Sequence, residues 1–61
     1  MQEKRTVDGY NNIIWNSNKI AVPLVLHQGT EIELHIIPDK EHTEVRLWYK
    51  GNVIKVIRYK N

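Results

Sequence analysis

Residues 29–38 read Gly-Thr-Glu-Ile-Glu-Leu-His-Ile-Ile-Pro, with Ile32, Leu34 and Ile36 alternating against Glu31, Glu33 and His35. A period of two puts the apolar set on one face of a β-strand and the charged set on the other. Gly29 supplies a turn before the strand, and Pro38 removes a backbone donor where the ladder should stop. One strand of this kind cannot hide its apolar face alone. The rest of the chain must therefore supply strands to cover it.

The chain has 61 residues, enough for one domain near the lower limit of autonomous folding. A hydrophobic content of 41% with 26% charged residues is that of a globular chain. There is no cysteine, which excludes a disulfide framework and a thiolate metal site and fits a reducing cytosol. No apolar run approaches the roughly 20 residues that span a bilayer, and the polar start lacks the apolar region of a signal peptide. The net charge is only +2, but it is unevenly placed. Residues 1–5 carry a balance of +1, residues 6–43 of −3 and residues 44–61 of +4. An anionic partner would be met at the two ends, chiefly by the last third.

In chain order, residues 1–8 are polar and read as a linker or tail, with the domain proper at 9–61. Ile13-Ile14-Trp15 has strand composition, Asn16-Ser17-Asn18 a turn, and Lys19 to Val22 a returning strand with Ile20 and Val22 on one face. Pro23 closes this first hairpin, and Leu24 and Leu26 are expected to plug the core as the chain crosses over. Thr30 to Ile37 is the alternating strand. Glu44 to Lys50 alternates again, with Val45, Leu47 and Tyr49 on one face and Glu44, Arg46, Trp48 and Lys50 on the other. Gly51-Asn52 reads as a two-residue hairpin turn. Val53 to Tyr59 fits no single period-two assignment, which calls for either a bulge or burial on both faces. Five short strands and no helix predict an all-β fold closed into a small SH3-like barrel, with an OB-like barrel as the alternative.

The chemistry of the side chains excludes more than it admits. Ser17 lies among asparagines with no His or acid at motif spacing, and Glu31 and Glu33 sit on a wet face where a general acid would lack burial. His27, His35 and His42 lack the close spacing of zinc ligands, although His35 can approach Glu31 or Glu33 on one strand face. These features predict no catalysis, no metal and no cofactor. Trp15, Tyr49 and Tyr59 read as core or barrel-end residues. The pattern that stands out is Arg46, Trp48 and Lys50 on one strand face. Alternate residues on a strand are about 7 Å apart, close to the phosphate spacing of a DNA strand. Arg58 and Lys60 extend the charge from the next strand, with Lys55 beside them. Lys4 and Arg5 add to it from the start of the chain, and Lys19 from the first hairpin. Contacts of this kind go to the phosphate backbone rather than to base edges.

Arg5-Thr-Val-Asp-Gly-Tyr10, then Ile13-Ile14-Trp15, Ile20-Ala-Val-Pro23-Leu24, Gly29-Thr-Glu-Ile32-Glu-Leu34 and Lys50-Gly51-Asn52-Val53 follow one another in a familiar order. The sequence from Arg5 to about Arg58 resembles the small β-barrel that lies C-terminal to the catalytic core of bacterial DDE transposases and integrases of the Mu and retroviral-integrase type. The resemblance is one of apolar positions and turns. It implies a cytoplasmic, nucleoid-associated module that holds duplex DNA and packs against the catalytic core or neighbouring subunits. Strand breakage and joining, with the metals they need, belong to that core and not to these residues. The second strand departs from the pattern: Lys19 is alone before Ile20-Ala21-Val22, where related barrels often carry more basic or aromatic residues. Two other readings of the residues remain open. One is a barrel that docks a partner domain through Trp48, and the other is a stand-alone RNA- or DNA-binding barrel.

Overall fold

The computed structural model describes residues 1–61 as six strands and no helix. They are β1 (Gln2–Thr6), β2 (Asn12–Trp15), β3 (Asn18–Ala21), β4 (Glu31–Pro38), β5 (His42–Tyr49) and β6 (Asn52–Lys60). A four-stranded antiparallel sheet runs β1-β4-β5-β6, and β2 and β3 form a separate hairpin. The fold is therefore all-β with two sheets. No helix is long and apolar enough to cross a membrane.

The alternation in β4 is realised as expected. Ile32, Leu34 and Ile36 are buried, and with Val45 and Leu47 of β5 they make one side of the core. Ile13, Ile20, Val22 and Val7 supply the other side. All nine buried residues are aliphatic, and no polar residue is buried with them. Trp15, Tyr49 and Tyr59 pack partly buried around this centre, with the Trp15 and Tyr59 rings 5.7 Å apart. Each such aliphatic side chain contributes about 1.5–3 kcal/mol on leaving water.

Three features differ from the sequence reading, and a fourth decides between its alternatives. Residues 1–8 are not a tail: β1 pairs with β4 from Gln2 opposite His35 to Thr6 opposite Glu31, and Val7 is in the core. The strand has no apolar alternation because Glu3 and Arg5 occupy its inner face, opposite Leu34 and Ile32. Inward charges on an edge strand discourage pairing with another chain, and they also erase the pattern by which a strand is read. Leu24 does not plug the core; it is exposed, while Leu26 packs against it. The last hairpin turns at Lys50-Gly51, one residue earlier than expected, because Tyr49 pairs with Asn52 and both turn residues have positive φ (49° and 79°). Finally, the ambiguity of β6 resolves as a bulge. Leu47 pairs with Lys55 but Trp48 pairs with Val53, so Ile54 is the extra residue. It packs against the core, and the alternation changes phase there.

The two sheets meet along two seams. On one side, Arg5 Nε donates to the Ile14 carbonyl of β2 at 3.1 Å. On the other, Lys55 Nζ donates to the Ala21 carbonyl of β3 at 2.7 Å. At the β1–β2 corner, Asp8 Oδ1 accepts from the backbone N–H groups of Tyr10 (2.8 Å) and Asn12 (2.9 Å). The bonds from Asn12 and then Tyr10 hold the Asp8 carboxyl below its usual pKa.

Candidate nucleic-acid interface

The register of the large sheet decides which charges share a face. Antiparallel partners lie on the same side, so the outer face carries Lys4 of β1, Glu31, Glu33 and His35 of β4, His42, Glu44, Arg46 and Trp48 of β5, and Arg58 and Lys60 of β6. Arg46 lies opposite His35 on one side and Val56 on the other. Glu44 lies opposite Arg58, and His42 opposite Lys60.

Two arginines converge on one carboxylate. Arg46 Nε donates to Glu44 Oε2 at 2.6 Å, and Arg58 Nε donates to Glu44 Oε1 at 3.0 Å. The bonds from Arg46 and then Arg58 keep the Glu44 carboxyl below the ordinary glutamate range. Each guanidinium spends only its Nε on Glu44, so the Nη groups have no protein partner. Glu44 fixes the spacing of the two cations and cancels one of the two charges. Beside them an open recess is lined by Ile37, Asp39, His42, Glu44, Arg46 and Arg58.

Trp48 is half-buried on this face. The His35 imidazole stacks on its indole with centroids 4.8 Å apart and planes 24° from parallel. His35 Nε2 is in turn 2.9 Å from Glu33 Oε1. One ring face of Trp48 is thus already covered, and its Nε1 is enclosed without a hydrogen-bond partner. An enclosed donor without an acceptor costs about 1–3 kcal/mol.

Of the nine residues singled out in the sequence, Lys4, Arg46, Trp48, Arg58 and Lys60 come together on the outer face. Lys50 stands at the turn of the same hairpin, its Nζ 5.4 Å from the Tyr49 ring. Lys4 Nζ is 3.6 Å from Glu31 Oε1, an exposed pair of little energetic weight. Three do not join the group. Arg5 and Lys55 are on the inner face, committed to the carbonyls at the two seams and, for Arg5, to Glu3. Lys19 is exposed on β3, in the other sheet. Their charges are readable from sequence, but the phase of β1 and the position of the bulge that reverses β6 are not. The structure adds His42, which begins β5 and whose parity places it with Glu44 and Arg46.

No family model, curated protein or solved structure matches this chain.

Proposed function

We propose that this domain is a non-catalytic DNA-binding and assembly module of the DDE transposase and integrase type, built as a small SH3-like roll and contacting the phosphate backbone of duplex DNA. The observation that carries the reading is the β5–β6 hairpin. Its register gathers Arg46, Arg58 and Lys60 on one side with a single carboxylate, Glu44, among them, and Lys50 extends the row at the turn. The Glu44 bonds hold two guanidiniums in place before a ligand arrives, which lowers the ordering cost of contact. Strand-spaced cations suit phosphates, and nothing in their arrangement selects a base. The indole of Trp48 supports the platform by holding His35 beside Arg46 rather than by receiving a base between two free faces.

Titration of a duplex oligonucleotide at low salt tests this. Binding should weaken linearly in the logarithm of salt concentration, with little dependence on sequence. Replacing Arg46 and Lys50 by Ala should reduce affinity and flatten that slope by about 2, near one for each phosphate that is no longer neutralised. Absence of binding by the wild-type chain at low salt would remove the reading.

A second reading has its own support. Ile37, Val53 and Val56 are exposed apolar residues on or beside the same outer face. Together with Trp48 they suit a protein partner, such as a catalytic core or neighbouring subunit. Light scattering with and without DNA separates the two, since a protein-docking face associates in its absence.

A further inference from the structure

The outer face carries two imidazoles that phosphate contact by Arg and Lys leaves unused. His35 lies opposite Arg46, and His42 lies opposite Lys60. With both imidazoles neutral, that face holds four cations (Lys4, Arg46, Arg58, Lys60) against three carboxylates (Glu31, Glu33, Glu44), a balance of +1. Protonating both imidazoles raises it to +3. Imidazole is the side chain whose charge ordinarily changes between about pH 5 and 8, whereas DNA phosphodiesters stay charged throughout that range.

We propose that His35 and His42 make the DNA contact of this face proton-linked, tightening it as the pH falls. The inference rests on the DNA-binding reading and names its regulation. The geometry around His35 gives the protonated ring defined partners. On its own strand, Glu33 Oε1 is 2.9 Å from Nε2 and accepts the proton-bearing nitrogen. From β5, the Trp48 ring stacks against it, 24° from parallel, and attracts a cation through its π-face. Arg46, also from β5, opposes the new charge from the facing position. From β1, Gln2 faces His35 and is neutral, Lys4 faces the neighbouring Glu33, and the Met1 ammonium binds the Ile36 carbonyl at 3.2 Å.

His42 is exposed at the start of β5. Glu44 follows it on the same face, Lys60 faces it from β6, and Arg46, Arg58 and Asp39 share its recess. With the imidazole protonated, a phosphate bound there meets a third cation beside Arg46 and Arg58 in the same recess. Proton uptake and DNA binding therefore reinforce each other, and by linkage each promotes the other by the same factor.

The test is the affinity of the 61-residue chain for one duplex oligonucleotide at pH 8.0 and pH 5.5, at fixed ionic strength and over a salt series. Wild type should bind on the order of tenfold more tightly at pH 5.5, with a salt slope steeper by up to about 1.8, the value for two more neutralised phosphates. The double variant H35Q/H42Q should lose most of both changes, and H27Q, altered in the loop before β4, should keep them. A second readout needs no DNA: in W15F, protonation of the stacked imidazole should quench Trp48 emission as pH falls, and H35Q should abolish the step. Salt-dependent binding with the same affinity at both pH values would overturn the proton linkage and leave the DNA-binding reading standing. A pH effect retained in full by H35Q/H42Q would overturn the assignment to these histidines. Absence of binding at both pH values would overturn both readings together.

Discussion

Asn11 shows how much one side chain does in a chain this short. Its backbone is left-handed (φ 63°), and its amide donates to the Val22 and Leu24 carbonyls at 3.1 and 2.8 Å while accepting from Leu26 N–H at 3.0 Å. One asparagine thus fixes the crossing between β3 and β4, using the tolerance of Asn for positive φ. Asn11→Ala removes three hydrogen bonds and leaves a strained residue, and should cost about 2–4 kcal/mol in urea unfolding. Asn11→Gly should cost less, since it relieves the strain. Lys50 presents the opposite case. It is the first residue of a two-residue turn at φ 49°, where a lysine carries a backbone penalty that Asn or Gly avoids. Lys50→Asn should therefore stabilise the domain by about 0.5–1 kcal/mol, and on the proposed function it should weaken DNA binding. A gain in both would show that the lysine is not retained for contact.

At the scale of elements, β4 and β5 were legible because a half-buried strand writes its two faces into alternate residues. Arg46 and Trp48 could be placed on one side for the same reason. The turn at Asn16-Ser17 was legible too, since both residues adopt positive φ and Asn favours it. β1 was not. Its inner positions are Glu3 and Arg5, and their partners lie about thirty residues away in sequence, so nothing local distinguishes it from a tail. Nor could Arg5 and Lys55 be told from contact cations, because their roles depend on which carbonyl lies across a seam. A deletion of residues 1–6 separates strand from tail. Loss of a five-pair edge ladder, at roughly 0.2–1 kcal/mol per pair, should cost about 1–5 kcal/mol and expose Leu34 and Ile32. Truncating a tail would leave the unfolding midpoint where it was.

The whole molecule is held by a small aliphatic centre with charges at its seams and on one face, so its response to pH separates those roles. Arg5→Met and Lys55→Met keep the apolar stems and remove the bonds to Ile14 and Ala21. Each should cost about 1 kcal/mol of stability, and neither should alter the salt slope of DNA binding, in contrast to Arg46 and Lys50. Asp8 and Glu44 have lowered carboxyl pKa values in the folded state. The folded form thus binds those protons less readily than the unfolded chain. Their stabilisation is complete above the ordinary carboxylate range, near pH 4, and is lost as pH falls through the lower folded values. Tyr59 is displaced the other way by burial, so its contribution is complete below about pH 10 and is lost as pH rises beyond it. Stability arising from these three groups is therefore level from pH 5.5 to 8.0. Urea midpoints of wild type should decline on the acid side below about pH 4, and D8N/E44Q should show a lower plateau with a shallower acid limb. A change in DNA affinity between pH 5.5 and 8.0 that is not matched by a change in the urea midpoint over the same interval would then report charge on the outer face and not loss of the fold.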